Sequence, residues 1–432
     1  MARRLHSRAP DFEAQFERLT GAKRETLPDV AETVRSIIAE VRAGGDAALV
    51  GLTQRFDKVE LTPSSLRVSE AEIAAAEAQC DAGALLALDT ATSRIKAYHR
   101  RQRPLGERFT DETGTSLGWR WTPLASVGLY VPGGTASYPS SVLMNAVPAR
   151  VAGVERIAMV TPATGGAINP LTLAAARRAG VSEIYRLGGA QAIAALAYGT
   201  ETIAPVDKIV GPGNAFVAAA KREVFGQVGI DSIAGPSEIL VVADAGNNPD
   251  WIAADLLSQA EHDASSQAIL ITDDAPFADS VVRAVIRALA TLPRSEIAGA
   301  SWRDHGAVIV VNDLNEAPAL VDRIAPEHLE LAVADPEALL DRVRHAGAIF
   351  LGRYTPEAIG DYIAGPNHVL PTARTARFSS GLSTLDFMKR TTLMSCTPDA
   401  VRALGPDALV LAECEGLDAH ARSIAARLNS RA

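Results

Sequence analysis

SVGLYVP, residues 126–132, is a short apolar run that ends in a proline, and three further runs of the same kind follow it. They are RIAMVTP (156–162), EIYRLGG (183–189) and DKIVGPG (207–213). The helix-like stretches 138–152, 170–179, 190–198 and 214–224 come after them in turn. Short apolar runs that alternate with helix-length segments predict βαβ units and a parallel sheet.

A second set of apolar runs lies further along the chain, again separated by helix-like segments: EILVVAD (238–244), AILITDD (268–274), AVIVVND (307–313) and AIFLGRY (348–354). We therefore predict two α/β units in tandem. Apolar spacing of three and four residues predicts amphipathic helices over 29–56 and 69–102, and residues 384–430 return to a helical pattern. Open α/β sheets bind ligands outside the carboxyl ends of their strands, so we expect the site there.

Composition narrows the function. The chain has 432 residues, 47% of them hydrophobic and 22% charged, which predicts two or more globular domains. A net charge of -9 without a long basic run argues against nucleic-acid and membrane partners and favours a small molecule. Cys80, Cys396 and Cys414 lie far apart, which indicates a reducing compartment. The N-terminus lacks the apolar core of a secretory signal, so we expect a cytoplasmic protein.

The GPGN turn at 211–214 follows a predicted strand and opens a predicted helix, where free backbone N–H groups can bind a phosphate. It is not a GxGxxG fingerprint, because Phe216 stands where the third glycine would be. Spacing alone therefore leaves dinucleotide binding open beside an ordinary tight turn.

Two short motifs carry metal-binding and acid–base residue types. In SQAEHD (258–263), Gln259 and His262 share one face of a helix, and they suit either a metal ion or a helix end. In APEHLEL (325–331), Glu327 and His328 follow a proline that favours a first helical turn, where they suit either proton transfer or capping. Asp361 and His368 share a glycine-rich loop that is typical of either a turn or a ligand site.

A set of motifs, taken together, resembles the histidinol dehydrogenase family from about residue 25 to the C-terminus: YVPGGTASYPSSVLMNAVPARVAGV, GGAQAIAALAYGT, KIVGPGNAFVAAAKREVFG, IAGPSEILVVAD, LLSQAEHD, APEHLEL, GPNHVLPT and AECEGLDAH. The resemblance implies an enzyme that oxidises L-histidinol through L-histidinaldehyde to L-histidine with two NAD, at the end of histidine biosynthesis. It also implies an α/β fold of two tandem incomplete Rossmann-like domains with small helical N- and C-terminal domains. The domains expected from it are an N-terminal segment at 1–25, a first Rossmann-like domain at 26–125 plus 238–375, a second at 126–237, and a helical dimerisation domain at 376–432.

The resemblance also assigns site residues. It implies one zinc ion per subunit, held by Gln259, His262, Asp361 and His420. His328 resembles the base that takes the hydroxyl proton, and Glu327 the residue that activates water. The substrate contacts that it implies are Ser237, Gln259, His262, His328, Asp361, His368, Glu415 and His420, and the NAD contacts are Tyr130, Gln191 and Asn214. The family is homodimeric, with its C-terminal piece reaching across the dimer to share the active site.

Two details of the sequence leave local structure open. On a straight helix Glu415 and His420 lie about 140° apart, so either Gly416 interrupts the helix or the two approach a ligand from different sides. Ala373 and Arg374 stand where the family often has two glycines, and Gly381 where proline is frequent, which affects the expected loop near His368.

Three alternatives are weighed against this hypothesis. A related dehydrogenase could act on another alcohol, such as a sulfonated diol, although GPSE and EGLDAH suit an amino-imidazole ligand. A zinc hydrolase could use Glu327 to activate water, but the tandem α/β pattern and the GPGN turn disfavour it. A non-catalytic metal-binding protein would leave Glu327 and His328 without a role.

Overall fold

The computed structural model describes residues 2–21, 30–133, 138–233 and 235–429. Its strands are β1 (Arg3–His6), β2 (Glu107–Thr110), β3 (Ser116–Pro123), β4 (Ser126–Tyr130), β5 (Arg156–Thr161), β6 (Glu183–Arg186), β7 (Lys208–Val210), β8 (Gly229–Ile230), β9 (Glu238–Ala243), β10 (Gln267–Thr272), β11 (Ala307–Val310), β12 (His328–Ala332), β13 (Ala348–Leu351) and β14 (Met388–Ser395).

The helices are α1 (Phe12–Gly21), α2 (Ala31–Asp57), α3 (Glu70–Glu77), α4 (Ala82–Arg100), α5 (Pro139–Ala152), α6 (Pro170–Arg178), α7 (Gly189–Tyr198), α8 (Ala215–Val224), α9 (Pro249–Ala260), α10 (Ala275–Leu289), α11 (Ser295–Asp304), α12 (Ala317–Ile324), α13 (Pro336–Leu340), α14 (Glu357–Ile359), α15 (Pro398–Cys414) and α16 (Asp418–Leu428). A π-helical turn, Gly360–Ala364, continues α14.

Two parallel sheets organise these elements. The larger sheet has six strands in the order β1-β11-β10-β9-β12-β13, and the smaller has five in the order β6-β5-β4-β7-β8. All pairings within both sheets are parallel. The predicted α/β class with two tandem units is therefore confirmed. Strand β1, which the sequence pattern did not indicate, extends the larger sheet beside β11.

Each sheet is covered by helices on both faces because successive strand residues point to opposite sides. In β5, Ile157 and Met159 join the core formed with α4, α5 and α6, while Ala158 and Val160 join the core formed with α2, α7 and α8. The larger sheet has the same construction, with α9, α10 and α11 on one face and α1, α12 and α13 on the other.

The C-terminal part differs from the prediction of continuous helix after residue 384. Residues 388–395 form β14, which pairs along its whole length with β3 in a three-stranded antiparallel sheet with β2. The run MKRTTLMS places β-branched Thr391 and Thr392 in the middle of this strand, and cross-strand pairing overrides the helical pattern. Helices α15 and α16 follow and pack against each other.

The chain does not form one straight helix between Glu415 and His420, because α15 ends before Gly416 and α16 begins after it. Glu415 directly follows the last residue of α15 and caps the helix, and Gly416 adopts a φ of 68°, a conformation that glycine tolerates without a Cβ clash. The interruption at Gly416 is therefore confirmed. Across the described residues, the helices are all too short or too polar to span a membrane. The predicted domain boundaries remain a prediction.

Candidate active site

The site residues of the larger sheet gather at the amino ends of its strands. Strand β9 begins at Glu238 and β12 at His328, and α9, which runs back across the sheet, brings Gln259 to the same edge. The expectation of a site at the carboxyl ends is therefore wrong for this sheet. The acidic turns that suggested it are structural: Asp274 after β10, for example, accepts the N–H of Phe277 and caps α10.

His328 lies at the centre of this cluster and is 2% exposed. Its Nδ1 lies 3.0 Å from the carbonyl oxygen of Glu238, which fixes the ring and leaves Nε2 free to accept a proton. Nε2 lies 3.4 Å from Asp361 Oδ1 and 3.8 Å from Glu357 Oε1, and it has no well-oriented hydrogen-bond partner among the described residues. A buried nitrogen without such a partner is a group that a ligand can satisfy.

The predicted helical turn at Glu327 and His328 is wrong. His328 is the first residue of β12, which pairs with β9 on one side and β13 on the other. All five residues of β12 are buried, so the proline before it ends a loop rather than starting a helix. His328 therefore lies beside β9 in the sheet, and Glu327, directly before β12, contacts Glu238 at the start of β9.

Glu327 is buried beside His328, with its Oε2 accepting the N–H of Glu238 at 2.9 Å. Burial raises the pKa of Glu327 to about 8. Burial alone would lower the pKa of His328, but the carboxyl groups of Glu327, Glu357 and Asp361 outweigh it and raise that pKa well above its usual value. A buried carboxyl and a neighbouring imidazole that influence each other's pKa can serve in general acid–base chemistry.

Gln259 and His262 meet at the end of α9. Gln259 is fully buried, and the amide orientation that satisfies its neighbours points its oxygen at His262 Nδ1 (3.2 Å) and its nitrogen at Glu357 Oε1 (3.2 Å). His262 follows the last turn of α9 and is the more exposed of the two. Partial burial of its imidazole still lowers its pKa, which favours the neutral form that can bind a metal.

Asp361, in the π-helical turn, faces both His328 and His262. Burial raises the pKa of Asp361, but the adjacent imidazole of His328 outweighs burial, and the net effect is a lowered pKa. His368 is held nearby, with Nδ1 at 3.0 Å from the Asp361 carbonyl oxygen and Nε2 at 3.3 Å from Ser141 Oγ. The bond to Ser141 in α5 connects this cluster to the helices of the smaller sheet.

Other predicted site residues lie outside the cluster. Ser237 is half-buried directly before Glu238. Glu415 and His420 are exposed on the α15–α16 hairpin, at the end of α15 and in the first turn of α16. Among the described residues, Gln259 contacts His262, and Asp361 lies close enough to His262 to influence its pKa. The backbone N–H of His420 donates to Leu417 within the α15–α16 hairpin.

Glu357 is a site residue that sequence reasoning missed. It is 3% exposed, its Oε2 accepts the hydroxyl of Ser258 at 3.1 Å, and burial raises its pKa to about 7. Glu357, Asp361 and His328 present ligand atoms within 4.8 Å of one another. Its sequence context, TPEAIG, looks like an ordinary helix start, so only its burial reveals it.

Two overlapping donor sets could hold a metal here, and both include Asp361. In the set with Glu357, the carboxyl groups around His328 raise the pKa of its imidazole, which favours the protonated form and weakens it as a ligand. Gln259, His262 and Asp361 offer an amide oxygen, a neutral imidazole and an ionised carboxylate, which fit zinc. The lowered pKa of Asp361 favours its ionised form, which in turn favours a cation beside it.

Apart from this cluster, a cavity of about 320 Å³ lies at the carboxyl ends of strands in the smaller sheet, where the sequence led us to expect a ligand site. It is lined by Ile37, Phe56, Asp57, Tyr130, Gly133, Pro162, Gly188, Gly189, Ala190, Gln191, Asn214 and Phe216. The structure thus brings together Tyr130, Gln191 and Asn214. The Tyr130 hydroxyl accepts the N–H of Gly189 at 3.2 Å, and the Asn214 side chain caps α8.

These features define an α/β enzyme with a buried histidine–carboxylate cluster on one parallel sheet and a ligand cavity on a second. A family model described as histidinol dehydrogenase matches residues 21–428. The chain is 66% identical over 425 residues to a histidinol dehydrogenase of Ruegeria pomeroyi, which covers 98% of each chain. It is 65% identical over 430 residues to that of Rhodospirillum rubrum, covering 99% of each.

A solved structure of histidinol dehydrogenase from Elizabethkingia anophelis matches with a TM-score of 0.95 at 37% identity, covering 99% of this chain and 98% of that one. The chain belongs to the histidinol dehydrogenase family and is an oxidoreductase. The resemblance inferred from the motifs is confirmed.

Proposed function

We propose that the protein oxidises L-histidinol through L-histidinaldehyde to L-histidine, with zinc and two NAD. The observation that carries this proposal is the fixed orientation of His328, whose Nδ1 faces a backbone carbonyl while Nε2 faces Asp361 in a buried cluster. Family membership supplies the substrate class, and the cavity of the smaller sheet is large enough to hold part of a dinucleotide.

The metal would be held by Gln259, His262 and Asp361, with His420 as a fourth ligand. When bound, zinc would supply a fixed positive charge that orients the imidazole and amino nitrogens of the substrate. A cation next to Asp361 also opposes the rise in the pKa of His328. His328 is then neutral often enough to act as a base.

Two side chains would move protons in the reaction. His328 would take the hydroxyl proton at Nε2 as the alcohol carbon gives up a hydride, and NAD would accept a hydride in each of the two oxidations. Glu327 would then take a proton from the water that attacks the aldehyde. Its burial and the N–H of Glu238 on its Oε2 hold it in one orientation beside His328.

The site would be completed by a second copy of the chain. Glu415 and His420 are exposed, and the same tail exposes Val410 (56%), Leu411 (65%) and Leu417 (42%). An apolar, exposed helical hairpin that carries a proposed metal ligand, His420, and a proposed substrate contact, Glu415, suits a homodimer in which each tail serves the partner's site. Ser237 and His368 would contact the substrate from the chain's own side, and we keep the cytoplasm as the predicted location.

The test is an assay of purified protein with histidinol and NAD, before and after chelation, with zinc added back. We expect NADH to form at two per histidinol, to stop on chelation and to recover with zinc. Without NADH in the zinc-loaded protein, the proposed function is wrong, and turnover of another alcohol instead would select the related dehydrogenase. Activity that survives complete metal removal would contradict the metal part of the proposal.

A further inference from the structure

Asp57 stands out among the residues lining the cavity of the smaller sheet. It is the last residue of α2, where the helix dipole disfavours a negative charge. Its Oδ2 is buried and has no hydrogen-bond partner among the described residues, and burial raises the pKa of the carboxyl. Both features cost stability, so a purely structural role does not explain an aspartate at this position.

The surroundings of Asp57 indicate what it could bind. Phe56 and Phe216 line the same cavity and are 44% and 37% exposed, so they offer apolar surface to a planar ring. Gly188 and Gly189 also line the cavity. An added Cβ at Gly188 would lie 2.8 Å from Pro162, and one at Gly189 would lie 2.7 Å from Gln191, so both positions favour glycine. A ligand with an aromatic ring, a hydroxyl-bearing spacer and an extended polar part fits this arrangement.

We infer that Asp57 binds the adenosine ribose of the dinucleotide, accepting hydrogen bonds from its hydroxyl groups and excluding a 2′-phosphate. This inference rests on the proposed use of a dinucleotide. A carboxylate accepts hydrogen bonds from both hydroxyl groups of the ribose. Its negative charge repels a phosphate carried by the ribose 2′-oxygen, as in NADP. Lys58, directly after Asp57, adopts a φ of 58° and ends α2 so that the carboxyl stays at the cavity.

The test compares binding of NAD and NADP to the zinc-loaded, full-length protein by isothermal titration calorimetry. The variants are Asp57→Ala and Asp57→Asn, and Glu60→Gln is the matched control, since it removes an exposed carboxylate three residues further on. We expect Asp57→Ala to weaken NAD binding about ten-fold or more, as for a lost hydrogen bond to a charged group. Asp57→Asn should lower the ratio of the NADP Kd to the NAD Kd about five-fold or more, while Glu60→Gln changes neither.

Thermal unfolding of the ligand-free variants separates binding from folding. We expect Asp57→Asn to unfold at the same temperature as the unmodified protein or higher, because it removes a buried charge from a helix end. The inference is overturned if Asp57→Asn leaves the ratio of the NADP Kd to the NAD Kd unchanged or clearly lowers the thermal stability. The proposed function is unaffected by either result as long as the unmodified protein binds NAD. Failure of the unmodified protein to bind either dinucleotide would overturn both.

Discussion

The buried ion pair between Lys221 and Asp231 holds the turn that opens α8, and its loss should be costly. Their side chains are 3% and 5% exposed. Lys221 Nζ contacts Asp231 Oδ1 and donates to the carbonyl oxygen of Gly211 at 3.0 Å, while Asp231 Oδ2 accepts the N–H of Gly211 at 2.8 Å. Both backbone groups of Gly211 therefore depend on this pair.

The substitution Lys221→Met removes the cation and leaves the Asp231 carboxylate buried without a counter-charge. Breaking a buried pair from one side costs about 3–5 kcal/mol of unfolding free energy. The double variant Lys221→Met/Asp231→Asn removes both charges yet keeps an oxygen for the N–H of Gly211, so it should recover about half of that loss. The turn also carries Asn214, and NAD should bind more weakly to the single variant.

The measurement is urea unfolding followed by far-UV circular dichroism at one protein concentration. Arg402→Met serves as a control, because Arg402 and Asp399 form a pair whose side chains are 55% and 86% exposed, worth about 1 kcal/mol or less. If Lys221→Met costs no more than this control, or if the double variant is no more stable than the single one, the argument from burial fails.

The remaining predictions concern the two sites. His328→Asn should lower kcat about 10²–10⁴-fold, as expected for loss of a general base, with zinc content unchanged by atomic absorption; loss of zinc would contradict its role as a base. Glu327→Gln should slow aldehyde oxidation more than alcohol oxidation in single-turnover assays, and equal slowing would argue against water activation. Gly211→Ala should abolish NAD binding or soluble expression, because a Cβ there would lie 2.1 Å from the Tyr130 carbonyl oxygen at a φ of 110°. Arg374→Gly should raise the unfolding free energy by about 1 kcal/mol, since Arg374 has a φ of 65°, and a loss of stability would refute this.

Sequence patterns were most informative where one physical cause dominates. Buried parallel strands are apolar along their length, so β4 to β7 and β9 to β11 follow directly from their runs. Strand β12 was mistaken because HLELA mixes polar and apolar residues, and Glu330 in it is only 3% exposed. His328 and Glu330 are buried at the candidate site, and hydrophobic periodicity does not register buried polar residues.

Only part of the candidate site could be predicted from sequence patterns. Gln259 and His262 are three residues apart and could be paired from spacing, but Asp361 and Glu357 come from elements about a hundred residues away. Their proximity is created by the return of the chain after β13 to the amino edge of the sheet. The resemblance supplied Asp361 from family motifs, and it gave no indication of Glu357.

Residues that depart from ordinary backbone preference concentrate at the two sites. Among the described residues, the non-glycine residues with positive φ are Lys58, Ala325, Ala373 and Arg374. Ala325 ends α12 two residues before Glu327, and the N–H of Ala373 donates to Glu238 Oε1 at 3.1 Å. The loop near His368 thus keeps, without glycines, the backbone conformation that glycine favours. Each such residue costs about 1–2 kcal/mol. A fold retains that cost where neighbouring contacts fix the backbone, so the strain at these loops reflects the need to hold the side chains beside them in place.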